Sequence, residues 1–212
     1  MITAVVLGNG ASRKGFDYRK EYPNATVYGC NGAYIEDIDV VICNDPLRQK
    51  NILDSGFCDY GICSFGHWED PGNGQMLKKV IRREAEEDGH YIIESGLANP
   101  QDHHAVRVEA TDIVYMFHLG PNSNVLCFEL DDEAGVTSGV LALDHAVNDG
   151  HREIVLIGFD DINDPDWASL YEGHSGYENH IPKHNWLSDI ERTIDSHSTL
   201  SSAPKITMRK VK

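Results

Sequence analysis

The run Gly8-Asn9-Gly10-Ala11-Ser12 has the residue types of a ligand loop. Two glycines let a backbone turn tightly and approach a bound group. Exposed N–H donors and the Ser12 hydroxyl can then hold an anion such as a nucleotide phosphate. The run differs from the dinucleotide fingerprint, because Arg13 stands where a third glycine belongs, and no Gly-Lys-Ser/Thr of the Walker type follows. A plain strand-to-helix turn is the alternative. Val136-Thr137-Ser138-Gly139 is a second candidate. Small residues at a helix start leave room for an anion beside free N–H groups and the positive end of the helix dipole, although they serve equally as a simple cap. In Gly158-Phe159-Asp160, Asp160 can accept hydrogen bonds from a ribose or a base, or cap the next turn.

Eleven histidines are present, and His174, His180 and His184 fall in one irregular late segment, where a general base titrating near neutrality could act on a closing lid. Asp164-Pro165-Asp166 has the Asp-x-Asp form of metal-dependent sugar transferases, a tripeptide that arises easily in an acidic chain. No Gly-x-Ser-x-Gly elbow follows a strand, which disfavours a serine hydrolase.

These groups need elements to position them. Apolar runs of strand length recur at Thr3 to Leu7, Ala25 to Gly29, Asp39 to Cys43, Tyr60 to Phe65, Ile113 to Phe117, Val125 to Glu129 and Glu153 to Ile157. Short continuous runs rich in Val and Ile fit strands buried on both faces. Val136, Val140, Leu143 and Val147 share one face of a helix from about Thr137 to Asn148, with Thr137 or Ser138 as its cap and Gly150 at its left-handed end. Helix, short turn and strand make half of a βαβ unit. The alternation predicts an α/β fold with a mostly parallel sheet and ligands at the carboxyl ends of its strands. Gln75 to Glu87 reads as a solvated helix, and Ala98 to Ala110 is ambiguous. Asp160 to Lys183 lacks apolar periodicity and reads as a functional loop. A last helix is expected from about Trp186 to Ser196, then an edge strand from Lys205 to Val211 with its charges outward.

The 212 residues include 34 acidic and 18 basic side chains, for a formal net charge of −16. Such a surface repels phosphate backbones and anionic lipid headgroups, so duplex nucleic acid and membrane surfaces are poor partners. With 41% apolar residues and no run long enough to span a membrane, one soluble cytoplasmic body over 1–212 is expected. Five cysteines form an odd set, read as reduced thiols. Cys58 and Cys63 have a metal-like spacing, but no second close pair completes a zinc site.

Three blocks resemble the ordered motifs of bacterial sialyltransferases of glycosyltransferase family 42, related to family 29. They are Val6 to Ser12, Gly29-Cys30-Asn31-Gly32-Ala33-Tyr34-Ile35-Glu36-Asp37, and Val136 to Gly139 with Glu153 to Asp160. The likeness is absent from about Gly66 to Thr111. The resemblance implies a Rossmann-like sheet with helices on both faces and a small irregular lid over 160–185, a variant of the GT-A arrangement. It implies sugar transfer from a cytidine monophosphate (CMP) donor, such as CMP-sialic acid, to a glycan or other hydroxyl acceptor, with inversion and without a metal or other cofactor.

Carried over by position, Asn9 and Asn31 hold the donor's phosphate and ribose side, with Ser12 and the glycines Gly8 and Gly10 nearby. Asn44 lines the sugar pocket, while Thr137, Ser138, Gly139 and Asp160 face the cytidine. His184, just before the last helix, matches the base. Family members follow the Asp160 position with tyrosines that bind the leaving phosphate, whereas this chain reads Asp161-Ile162-Asn163, which leaves Tyr171 or Tyr177 to substitute. The blocks resemble less closely the archaeal-type hydroxymethylpterin diphosphokinases and related flagellin-modification proteins. That alternative needs magnesium, with Asp164 and Asp166 as candidate ligands. A non-catalytic nucleotide-binding protein is the third reading, and the choice between monomer and homo-oligomer is open.

Overall fold

The computed structural model describes residues 3–44, 46–68, 84–85, 91–92, 103–107, 114–118, 125–130, 137–161, 163–164, 167–171, 186–199 and 202–211. The strands are β1 (Thr3–Leu7), β2 (Thr26–Cys30), β3 (Val40–Cys43), β4 (Ile62–Trp68), β5 (Glu84–Ala85), β6 (Tyr91–Ile92), β7 (His103–Arg107), β8 (Val114–His118), β9 (Val125–Leu130), β10 (Glu153–Ile157) and β11 (Lys205–Arg209). The helices are α1 (Tyr18–Glu21), α2 (Pro46–Asp54), α3 (Ser138–Asn148) and α4 (Trp186–Ser198). Where the sequence reading has one body, the contacts divide the chain into two compact units, Met1–Ile42 with Val136–Lys212, and Cys43–Gly135. Among the described residues no helix is long and apolar enough to cross a membrane.

The first unit is α/β. Its strands run in the order β11-β10-β1-β2-β3, and each neighbouring pair is parallel. In the centre, Val5 lies opposite Val155 on one side and Val27 on the other. Ala4, Val5, Val6 and Leu7 are fully buried, as are Ile154, Leu156 and Ile157. This is why these runs are continuous rather than alternating: both faces of a covered parallel sheet exclude water. β11 takes the expected edge, with Lys205 exposed.

α3 packs against β1 and β2 and meets α4. Thr137 is its cap, accepting from the Val140 N–H at 3.4 Å, and Gly150 beyond its end has φ +87°. The buried stripe is Val140, Ala142, Leu143 and Ala146, whereas Val147 is only half-buried. The two alanines carry part of the contact that the periodicity assigned to valines.

Beyond the end of α3, Tyr28 donates to Asp149 Oδ2 at 2.5 Å and stands 3.0 Å from His151 Nε2. With its proton given to Asp149, the Tyr28 oxygen accepts from His151, which puts the ring proton on Nε2. His151 is buried and its Nδ1 has no partner among the described residues. Burial lowers its pKa, and Asp149 offsets this only in part. The unfolded chain therefore binds more protons near neutrality, so His151 removes stability as pH falls through its ordinary value of about 6.5. Urea unfolding between about pH 5 and 7.5 is expected to show a shallower pH dependence in His151→Gln than in the parent. Superimposable profiles would remove His151 from this role.

In the second unit β4 and β9 pair in parallel, and buried Gln49 donates to the carbonyls of Cys43 at 2.8 Å and Gly66 at 2.6 Å. Three expectations change here. The strand expected over Ile113 to Phe117 does not join a parallel series, because β8 pairs antiparallel with β7. Only residues 108–113 separate them, too short a connection for a parallel crossover. Cys58 and Cys63 form a disulfide rather than two reduced thiols. The single-turn helix Phe57–Asp59 brings their Cα atoms to 5.7 Å, within disulfide reach. Cys30 and Cys43 are buried and form no disulfide. Of the helix expected over Gln75 to Glu87, the described part, Glu84–Ala85, is a strand, and the remainder lies outside the described residues.

Candidate functional site

The carboxyl ends of β1, β2 and β10 bring the first and last motifs together. The Gly8 N–H donates to the Ile157 carbonyl at 2.8 Å, and the Gly10 N–H to the Gly158 carbonyl at 2.9 Å. A Cβ at Gly8 would stand 2.4 Å from the Gly158 oxygen, so the close approach requires glycine. The segment after β10 then returns antiparallel along the loop. Ala11 N–H reaches the Ala168 carbonyl at 3.0 Å, and Leu170 N–H the Asn9 carbonyl at 2.8 Å. Asp160 accepts from the Ser12 N–H at 3.0 Å and from the Ser12 hydroxyl.

These bonds alter the first motif's chemistry. The amides of Gly8, Gly10, Ala11 and Ser12 and the Ser12 hydroxyl all donate within the protein rather than standing free for an anion. Asp160 thus holds the start of the short helix Ala11–Arg13, 148 positions away in the sequence, a contact different from the cap on its own following turn that the sequence offers. Asn9 is buried, with Oδ1 3.5 Å from the Cys30 thiol. Burial pushes the Cys30 pKa up to about 12, which keeps it a neutral thiol.

The second motif meets β2. Ser138 Oγ donates to Asn31 Oδ1 at 3.1 Å. Asn31 has φ +50°, a left-handed conformation that asparagine tolerates better than most residues. Phe159 fills the space beside two of the glycines: a Cβ at Gly139 would lie 2.9 Å from its ring, and one at Gly8 3.1 Å. Asn44 follows β3, half-buried, and belongs to the second unit. His174, His180, His184, Pro165, Asp166 and Tyr177 lie outside the described residues, as does most of 160–185. Among the described residues no group of three metal-ligating side chains gathers.

Arg13 is the residue that sequence reasoning missed, having registered it only as the glycine that is lacking. Its side chain is 3% exposed. Nε donates to the Gly8 carbonyl at 2.7 Å, and the two terminal nitrogens grip Glu36 at 2.8 and 2.6 Å in a bidentate pair. The second of them also reaches the Tyr171 hydroxyl at 2.6 Å, and that hydroxyl donates to Glu36. Burial alone would raise the Glu36 pKa, but the hydrogen bonds and charge of Arg13 outweigh it and leave the pKa lowered. Burial pushes the Tyr171 pKa well up, so the phenol stays protonated. Tyr171 is thus engaged with Arg13 and Glu36 instead of standing free for a phosphate, contrary to the substitution allowed from sequence. No spacing signals this triad, because Glu36 is 23 and Tyr171 158 positions from Arg13.

Comparison with known protein families, with curated proteins and with solved structures finds no match.

Proposed function

We propose that the carboxyl ends of β1, β2 and β10 bind a small nucleotide, and that the chain is a metal-independent inverting sugar transferase using a CMP-activated donor. The observation that carries this reading is the 3.1 Å bond from Ser138 to Asn31, which ties the first turn of α3 to the residue after β2. In open parallel sheets ligands bind beyond the carboxyl ends of the strands. With Oδ1 engaged by Ser138, Asn31 keeps its NH2 group as a donor, and the first turn of α3 adds the positive end of a dipole. In this reading the ligand phosphate belongs at Asn31, Thr137, Ser138 and Gly139, since the amides after β1 are already engaged. Neutral donors suit a chain of charge −16, because dipoles stabilise a leaving phosphate without a cationic surface. The acceptor hydroxyl attacks the sugar's anomeric carbon, the bond to the CMP oxygen breaks, and His184 takes the hydroxyl proton. The finer picture, a Rossmann-like sheet with helices on both faces and a lid over 160–185, belongs to the same reading.

Isothermal titration of the full chain with CMP is expected to show binding, weakened at least about tenfold in Asn31→Ala, the effect of one hydrogen bond to a charged group. No heat with either CMP or the diphosphate overturns the nucleotide reading. His184→Ala should keep CMP binding and lose transfer; unchanged transfer would move the base to His174 or His180. One observation favours a second reading, a nucleotide-binding protein without transfer: the engagement of Tyr171 with Arg13 and Glu36. CMP binding without donor cleavage would select it.

A further inference from the structure

We infer that Arg13 is a positioning residue whose bridge between the Gly8 carbonyl, Glu36 and Tyr171 holds the Trp167–Tyr171 segment against the loop after β1, making that segment a fixed wall of the strand-end site. The inference rests on the preceding reading only where it names the site as the one a nucleotide occupies.

Three features join in one place. Gly8 is held at both of its peptide groups, its N–H by Ile157 and its carbonyl by Arg13 Nε. The returning segment is joined to the same loop by the Ala11 and Leu170 amides, and it carries Tyr171, whose hydroxyl Arg13 grips. Glu36, just beyond the short helix Asn31–Ile35 that begins at Asn31, anchors the guanidinium from the β2 side. One buried side chain therefore fixes three chain segments in mutual register. Only arginine can do this: four of its five N–H donors have acceptors in a planar fork, a geometry that a lysine ammonium does not supply. With its charge matched by Glu36, Arg13 adds rigidity to the site and no net positive potential.

Amide hydrogen exchange on the ligand-free full chain tests the wall directly. In Tyr171→Phe the Ala11 and Leu170 amides are expected to exchange about tenfold faster, with rates that stay nearly independent of low urea concentration, as a local opening that exposes little surface requires. Unchanged protection at Ala11 and Leu170 overturns the proposal, and so do rates that climb with urea as steeply as that of Val5 in β1, which would mean exchange through general unfolding. A second arm separates positioning from bulk structure: the CMP dissociation constant should rise in Tyr171→Phe and in Arg13→Lys, measured where circular dichroism shows each variant fully folded. A weakened urea midpoint with unaltered CMP affinity would make the triad purely structural and overturns the inference. If the parent chain binds no CMP, the nucleotide reading falls, while the exchange arm still decides on the wall.

Discussion

Glu36→Ala is expected to destabilise the first unit by about 3–5 kcal/mol, the usual effect of removing one member of a buried ion pair. Arg13 is 3% exposed in the native pair and would lose the carboxylate that matches its charge, and water entering at the partly exposed Glu36 position replaces that carboxylate only in part. The Tyr171 hydroxyl loses its acceptor in the same change. Urea unfolding at neutral pH measures the loss, and a value below about 1 kcal/mol would place the pair among weak surface ion pairs. The double variant Arg13→Met/Glu36→Leu should recover part of the loss, because it leaves no unpaired charge, and the lost bonds of the Gly8 carbonyl and the Tyr171 hydroxyl remain as its cost. The pH dependence has a definite sign. Glu36 has a lowered folded pKa, so its contribution is fully present above the unfolded value of about 4.3 and is lost as pH falls through the folded value. Glu36→Gln should flatten that acid limb.

Gly158→Ala is the second large effect, at about 2–5 kcal/mol from about 1–2 for the left-handed backbone and about 1–3 for overpacking. Gly158 has φ +79°, and a Cβ there would lie 2.6 Å from Arg13 Cδ and 3.0 Å from the Gly8 oxygen. The side chain it meets is the one already gripping Gly8, Glu36 and Tyr171, so it cannot swing away without breaking those bonds. Urea unfolding of Gly158→Ala checks the size, and an effect below about 0.5 kcal/mol would show that the guanidinium relaxes freely. Because Gly158 and Glu36 share Arg13 as a partner, their losses should not add when combined.

How far the sequence foretold this structure depends on the range of the interaction. β1 and β10 match their predicted spans to the residue, because each is a continuous apolar run ended by glycine, and burial on both faces leaves no alternation to blur. Thr137 was readable as a cap and Gly150 as a left-handed turn, since both are local chemistry. Asp160 was correctly read at the end of a strand, but its partner Ser12 lies 148 positions away and no pattern links the two. Arg13 was opaque for the same reason: a lone arginine after a glycine loop reads as exposed, and only the folded sheet brings Glu36 and Tyr171 to it. The Cys58 and Cys63 spacing is plain in the sequence, but the single turn that lets the two sulfurs meet is not visible in it.

The strand order also dictates a sequence of events during synthesis. β1 lies between β2 and β10, so its first neighbour emerges from the ribosome within some two dozen residues and its second only after Glu153. Until then one side of the fully buried run Ala4 to Leu7 presents an open row of backbone donors and acceptors to other nascent chains. Closing β1 onto β10 means bringing together residues some 150 positions apart, a slow step that must await α3 and the strand that follows it. The hazard in this protein's biogenesis therefore falls in the interval before β10 is made, when a chaperone that shields β1 would have the largest influence on yield.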